Sequence, residues 1–165
     1  MAGILPMAKY KNEYYFLFGR ERRFPKWKDS MKWSDFGGAI EKDESKMEAA
    51  IREGYEETNG LLGDLNDIKK LMNDHLVTVL SRTNYATFIV LVKYDEDLPP
   101  KFAEIYDNIL NNEKHKLLLH DGKYEKDMAK WVAFKDLKKF KSEVRYFYRQ
   151  NVDDIIRYFT HIKKL

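Results

Sequence analysis

The sequence contains no cysteine. This absence excludes a disulfide-stabilised scaffold, a thiol nucleophile and a zinc site built on thiolates, and it is compatible with a reducing compartment. No apolar run approaches the roughly 18 residues that a membrane span requires. The N-terminal residues also lack the basic segment and the long apolar core of a secretory signal peptide. We therefore expect a protein that does not associate with membranes.

The composition is that of a globular protein. Of the 165 residues, 44% are apolar and 15% are aromatic, which is enough to bury a sizeable core. The formal net charge is only +3 although lysine and arginine total 30, and the cations cluster in residues 8–33 and 135–141. A basic rim around an acidic centre suits a polyanionic substrate. We expect a cytoplasmic location, which would be the host cytoplasm if the chain is viral.

The most specific feature is the spacing of glycine, glutamate and arginine in residues 38–60. The fixed positions are Gly38, Glu44, Arg52, Glu53, Glu56 and Glu57. This spacing resembles the Nudix box, G-x5-E-x7-R-E-U-x-E-E-x-G-U, in which U is a bulky aliphatic residue. The sequence departs from that pattern at Gly54, which replaces an aliphatic residue, and at Asn59-Gly60, where glycine and an aliphatic residue are expected. The resemblance implies metal-dependent cleavage of a diphosphate.

The same stretch carries the signals of an amphipathic helix. Ser45 and Glu48 form a capping-box pattern that predicts a helix from about residue 46. Asn59-Gly60 predicts its end, because both residues tolerate a left-handed backbone. The expected buried stripe consists of Met47, Ala50, Ile51 and Gly54. Gly54 would let the helix approach a sheet closely.

Three carboxylates, those of Glu53, Glu56 and Glu57, are expected on a separate face of this helix. Like charges at this spacing destabilise a helix by roughly 0.2–0.5 kcal/mol per pair, whereas hard divalent cations prefer oxygen ligands. The resemblance implies that these three glutamates bind Mg²⁺ or Mn²⁺, with the carbonyl of Gly37 or Gly38 as a further ligand.

The resemblance also implies roles for other residues. Glu44 and Arg52 would form an ion pair that ties the loop to the helix. The general base would be either Glu53 or a glutamate on a distant loop, for which Glu125 is the best candidate. Glu113 and Asp127 are weaker candidates for the same role.

Substrate-binding residues are expected on the early strands and the loop that follows them. Arginine binds phosphate through a bidentate fork, and aromatic rings offer stacking surfaces to a base. The predicted phosphate ligands are Arg20, Arg22 and Arg23, and the predicted stacking residues are Trp27, Trp33 and Tyr85, with Phe24 as a further candidate.

The order of predicted elements indicates an α/β/α sandwich around a mixed β-sheet, as in the Nudix fold, with an extra C-terminal helix. The strands are predicted at residues 4–10, 14–20, 36–40, 75–81, 85–94 and 129–134. Helical spacing follows Pro99-Pro100 and recurs in the tail, which reads as one long helix or as two with a break near Asn151. We expect a single domain over residues 1–165, with a helical extension over about 135–165.

The predicted function is hydrolysis of a diphosphate bond in a nucleotide-type substrate. One alternative is release of m7GDP from capped RNA, because the basic segment 135–141, with Arg145 and Arg149 beyond it, could follow an RNA backbone. Diphosphoinositol polyphosphates and a catalytically inactive nucleotide-binding module are further alternatives. The oligomeric state is not readable from the sequence.

Overall fold

The computed structural model describes residues 1–112 and 124–163. Its strands are β1 (Ala2–Tyr10), β2 (Glu13–Glu21), β3 (Trp33–Ser34), β4 (Phe36–Gly38), β5 (Leu76–Ser81), β6 (Ala86–Leu91) and β7 (Lys126–Ala133). Its α-helices are α1 (Lys46–Glu57), α2 (Leu65–Asp74), α3 (Leu98–Asn111), α4 (Leu137–Phe140) and α5 (Arg149–Lys163). Within these residues, no helix is long and apolar enough to cross a membrane.

The strands form a mixed sheet around β1. The order is β3-β2-β1-β6-β5, with β4 also pairing β1 and β7 also pairing β2. β1 runs parallel to β6, and the other described pairs are antiparallel. Ala2, Gly3 and Ile4 of β1 pair with Gly38, Gly37 and Phe36 of β4. The segment from Gly37 to the start of α1 is called the glycine loop. This pairing holds its first residues, Gly37 and Gly38, against β1.

Helices cover both faces of the sheet. Alternate side chains of a strand point to opposite faces, so Ile4 packs toward α1 and α2 while Leu5 packs toward the C-terminal segment. Phe102 of α3 joins Leu17 in a smaller cluster on the first face. The predicted α/β/α arrangement around a mixed sheet is confirmed.

Helix α1 begins where the sequence predicts. Ser45 Oγ accepts from the backbone N–H of Glu48, and the Glu48 carboxylate accepts from the backbone N–H of Ser45. A Cβ added to Gly54 would lie 2.6 Å from Cδ1 of Ile4, so this glycine does permit close packing on β1. The predicted stripe was wrong at Met47, which is exposed, because Ala49 occupies the buried face instead.

The tail differs from both predicted forms. The helical structure of the tail is interrupted at residues 141–148, before Asn151. Val144 is extended there and forms an isolated β-bridge with Trp33 of β3. Asn151 lies inside α5, where its side-chain amide donates to Thr87 Oγ1 at 3.4 Å. A polar side chain with a buried partner therefore does not break the helix. No element was predicted for the segment that forms α2.

Candidate functional site

An ion pair joins the glycine loop to α1. Arg52 Nε lies 2.9 Å from Glu44 Oε1, and Arg52 Nη2 lies 3.1 Å from Glu44 Oε2. The same Nη2 donates to the carbonyl of Ala39 at 2.8 Å. These donors keep the pKa of the Glu44 carboxyl below its usual range. The loop is thus held against the helix in the way expected for this pair.

The three predicted ligand glutamates of α1, Glu53, Glu56 and Glu57, are more buried than the sequence predicts. Glu53 and Glu57 are 9% and 1% exposed, so they share the buried side of the helix with Gly54, and only Glu56 is half-buried. A Cβ added to Gly38 would lie 2.5 Å from Glu53 Oε1. The absence of a side chain at residue 38 therefore leaves room for the Glu53 carboxylate beside the loop.

A buried lysine faces Glu57 from strand β7. Lys126 Nζ lies 2.6 Å from Glu21 Oε1, 2.8 Å from Ser34 Oγ and 3.9 Å from Glu57 Oε2. The last distance is too long for a hydrogen bond, and Glu57 Oε2 has no hydrogen-bond partner. Sequence reasoning missed Lys126, because nothing in a lysine-rich chain marks one lysine as buried.

The acidic centre consists of Glu53, Glu56 and Glu57, and burial disfavours the ionised forms of Glu53 and Glu57. Burial raises the pKa of Glu53 above its ordinary value, although the neighbouring Arg52 opposes the change. Burial also raises the pKa of Glu57, against the opposing charge of Lys126. The pKa of Lys126 is raised because Glu57 and Glu21 outweigh the effect of burial. A further cation would stabilise the ionised forms of both glutamates.

The donor set fits a hard divalent cation, although its carboxylates are not gathered around one point. Within residues 1–112 and 124–163, no three acidic or histidine side chains converge as a formed metal site. Arg52 engages two of the three carboxylates, since its Nη1 lies 2.9 Å from Glu53 Oε1 and 3.4 Å from Glu56 Oε2. Glu57 Oε2 has no hydrogen-bond partner.

Glu125 lies between this acidic centre and a neighbouring cleft. Its pKa is raised by burial and by the negative charge of Glu21, with Glu56 contributing less. The other loop candidates are placed differently: Asp127 is engaged by Arg20, and Glu113 lies outside the described residues.

The cleft has a volume of about 560 Å³ and opens beside the acidic centre. Its lining residues are Glu21, Arg22, Phe24, Pro25, Lys26, Trp27 and Glu125. Clefts of this size hold small-molecule ligands. Of the predicted substrate-binding residues, Arg22 and Trp27 therefore line one cavity together with the candidate base.

The other predicted substrate-binding side chains lie elsewhere. Arg20 makes a bidentate pair with Asp127 at 2.9 and 3.0 Å. Trp33 packs in the core beside Phe140, and Arg23 is exposed outside the cleft lining. Tyr85 is buried and donates its hydroxyl to Asp35. In this arrangement these four side chains do not reach the cleft.

Tyr85 belongs to a buried polar cluster beneath the glycine loop. The Asp35 carboxylate accepts from Tyr85 and, at 3.3 Å, from Thr87 Oγ1. Tyr148 lies 3.1 Å from that threonine hydroxyl. Burial raises the pKa of Asp35 to about 7. The sequence offers little sign of this cluster, because its members are far apart along the chain.

Comparison with known proteins identifies the family and the fold. The NUDIX domain family matches residues 2–150. Among solved structures, a C. elegans Ap4A hydrolase in a binary complex is 15% identical with a TM-score of 0.56, and the match covers 97% of this chain and 96% of that one. The M. smegmatis Nudix hydrolase RenU is 12% identical with a TM-score of 0.54, and the match covers 98% of this chain and 86% of that one. No curated protein sequence is significantly similar.

The two structural likenesses show the fold, and the family match covers most of the chain. That match includes the glycine loop, the acidic helix α1 and the strand that carries Lys126. The chain therefore belongs to the Nudix family and is a Nudix pyrophosphohydrolase.

Proposed function

We propose that this protein uses Mg²⁺ or Mn²⁺ to hydrolyse a diphosphate bond in a nucleotide-type substrate. The observation that carries the proposal is the position of the cleft. A cavity lined by two cations, two aromatic rings and the carboxylates of Glu21 and Glu125 adjoins a buried acidic centre in which one carboxylate oxygen has no partner. Such a pair of neighbouring sites suits a ligand with an anionic end and a flat ring system.

Glu53, Glu56 and Glu57 would hold the cation, with the carbonyl of Gly37 or Gly38 as a further ligand. A bound divalent cation supplies charge neutralisation of the diphosphate and lowers the pKa of an attacking water. The Glu44–Arg52 pair keeps the loop carbonyls beside α1.

Glu125 is the general base that this geometry favours over Glu53. It lines the cleft. Burial raises the pKa of Glu125 and of Glu53 alike, so position rather than pKa distinguishes the two candidates. Glu53 is also a proposed cation ligand, and its carboxylate accepts a hydrogen bond from Arg52 Nη1.

Arg22, Phe24, Lys26 and Trp27 would bind the rest of the substrate. Arg22 and Lys26 supply positive charge for phosphate, and Phe24 and Trp27 supply exposed rings at 56% and 38%. Stacking of a base on such a ring contributes about 1–3 kcal/mol.

The capped-RNA alternative has less support, because part of the basic tail is engaged internally. Lys141 Nζ lies 2.6 Å from Asp153 Oδ2, and Arg145 pairs with Glu21 and Asp29. Lys135, Lys138 and Lys139 are exposed. Fewer cations therefore remain along the tail to follow a phosphate backbone than the sequence suggests.

A hydrolysis screen with a site variant tests the proposal. Wild-type protein is assayed with Mg²⁺ against nucleoside triphosphates, Ap4A and other dinucleoside polyphosphates, nucleotide sugars, capped RNA and diphosphoinositol phosphates. We expect turnover of a nucleotide substrate by wild type and near-background rates for Glu56→Gln, which removes one predicted ligand while preserving shape.

Glu104→Gln, at an exposed glutamate of α3, is the matched control and should keep wild-type turnover. Full activity of Glu56→Gln would refute the ligand assignment. Preferred release of m7GDP from capped RNA, with the steep salt dependence of phosphate-backbone binding, would instead favour decapping.

A further inference from the structure

Arg145, in the C-terminal segment, makes the contacts of an internal anchor. Its side chain is 14% exposed, its Nη1 lies 2.9 Å from Glu21 Oε1, and its Nε lies 3.1 Å from Asp29 Oδ2. Both carboxylates are buried. The backbone N–H of Arg145 also donates to the carbonyl of Trp33 at 2.9 Å. The guanidinium is therefore fixed in position and in plane.

This fixed guanidinium contacts the ring of Trp27, one of the residues that line the cleft. Its Cζ lies 5.2 Å from the ring centroid of Trp27 and 4.6 Å from that of Phe147. Trp27 sits in the long connection between β2 and β3, outside any strand or helix. A cation against the face of an aromatic ring is attracted by the ring's quadrupole, which stabilises the contact. Arg145 thus contacts a cleft residue that belongs to no regular element.

The same arginine also holds a second part of the lining. Glu21 Oε1 accepts from Arg145 Nη1 and from Lys126 Nζ, at 2.9 and 2.6 Å. Glu21 itself lines the cleft. Arg145 therefore contacts both Trp27 and Glu21. The Glu21 carboxylate in turn holds Lys126 opposite Glu57.

We propose that Arg145 is a positioning residue that holds Trp27 in place to receive the base of a nucleotide. The inference rests on the proposed function, because it assumes that the cleft binds the nucleotide end of the substrate. It assigns the C-terminal segment a part in substrate recognition, through a contact to the cleft wall. A preordered ring loses less conformational freedom on binding, so the contact acts on affinity more than on chemistry.

The test compares Arg145→Met and Arg145→Lys with Arg82→Met. Arg82 also anchors the C-terminal helix, since its Nε and Nη2 lie 2.6 and 2.9 Å from the Asp154 carboxylate, but it has no place in the cleft lining. Arg145→Lys keeps a positive charge for Glu21 and Asp29 but lacks the planar fork. If Arg145→Met does not fold, Arg145→Lys decides.

Two readouts are needed. The first is the indole N–H signal of Trp27 in ¹⁵N-labelled, ligand-free protein, assigned with Trp27→Phe. The second is the Kd of a non-hydrolysable nucleotide with Mg²⁺, together with KM and kcat. Both Arg145 variants should shift the Trp27 signal and lower its heteronuclear NOE. They should weaken binding about tenfold, with the loss in KM rather than kcat, while Arg82→Met leaves all of these unchanged.

An unchanged Trp27 signal in both Arg145 variants would overturn the inference. So would wild-type behaviour of Arg145→Lys, which would reduce the role of Arg145 to charge balance, or an equal loss in Arg82→Met. If the wild type binds no nucleotide, the proposed substrate class fails. The Trp27 signal then still decides whether Arg145 positions the ring.

Discussion

Individual side chains at this site have environments that their sequence positions do not reveal. The cation-ligand roles of Glu53, Glu56 and Glu57 stay predictions from the motif, and Glu44 and Arg52 form an ion pair. The position of the Lys126 ammonium group opposite Glu57 could not be predicted, because it depends on the pairing of β7 with β2. Burial, which the sequence does not show, raises the pKa values of Glu53 and Glu57.

Glu125→Gln should separate the general base from the cation ligands. Loss of a general base lowers kcat by about 10²–10⁴, whereas the affinity for Mn²⁺ should stay near that of wild type. The measurement pairs steady-state kinetics with Mn²⁺ binding followed by electron paramagnetic resonance. If kcat is unchanged, the base is a different group, and Glu53 and Glu113 become the next candidates.

Asp35→Asn should change how stability depends on pH. The folded-state pKa of Asp35 is about 7 against an ordinary 3.8, so the folded protein binds this proton more tightly than the unfolded chain does. The stabilising contribution is complete below the ordinary pKa and is lost as the pH rises toward the folded value. The free energy of unfolding of wild type should therefore fall relative to that of Asp35→Asn across this window.

Urea unfolding at several pH values measures the difference, and Asp74→Asn, at an exposed aspartate, controls for loss of one carboxyl group. Parallel pH profiles for wild type and Asp35→Asn would show that Asp35 does not bind its proton more tightly on folding.

At the scale of elements, the features set by local sequence signals were predicted better than the features set by tertiary contacts. The capping box placed the start of α1, and β-branched and aromatic runs placed β5 and β6, since these patterns act within a few residues. The tail was predicted as one long helix or as two with a break near Asn151, but the interruption lies at residues 141–148, where Val144 bridges Trp33. Such a long-range contact leaves no periodic trace in the sequence.

Gly38→Ala tests the fit between the glycine loop and α1. The added Cβ would lie 2.5 Å from Glu53 Oε1, so the carboxylate must move while the backbone can remain. Mn²⁺ affinity should fall about tenfold, and the free energy of unfolding should change by less than about 1 kcal/mol.

Gly63→Ala is the matched control, because Gly63 has a positive φ and its added Cβ would meet the side chain of Asp67, a carboxylate outside the acidic centre. It should lower stability and leave Mn²⁺ affinity unchanged. The account of the loop fails if Gly38→Ala binds Mn²⁺ as tightly as the wild type does.

At the scale of the whole molecule, the sheet brings together an acidic helix, a buried lysine and a cleft from distant parts of the chain. The mixed α/β architecture was predictable from the order of elements, and the family from the box. The distribution of basic residues was less informative, because Arg20 and Arg145 looked like free phosphate ligands and instead hold other side chains. Sequence shows that a cation is present, but only packing shows whether it is available.

The most direct test of the central claim is a crystal structure with Mn²⁺ and a non-hydrolysable nucleotide. The account predicts an anomalous Mn²⁺ peak bound by Glu53, Glu56 and Glu57, with phosphate oxygens beside it and the base against Trp27. Nucleotide bound without Mn²⁺ at these glutamates, or Mn²⁺ bound elsewhere, would contradict it.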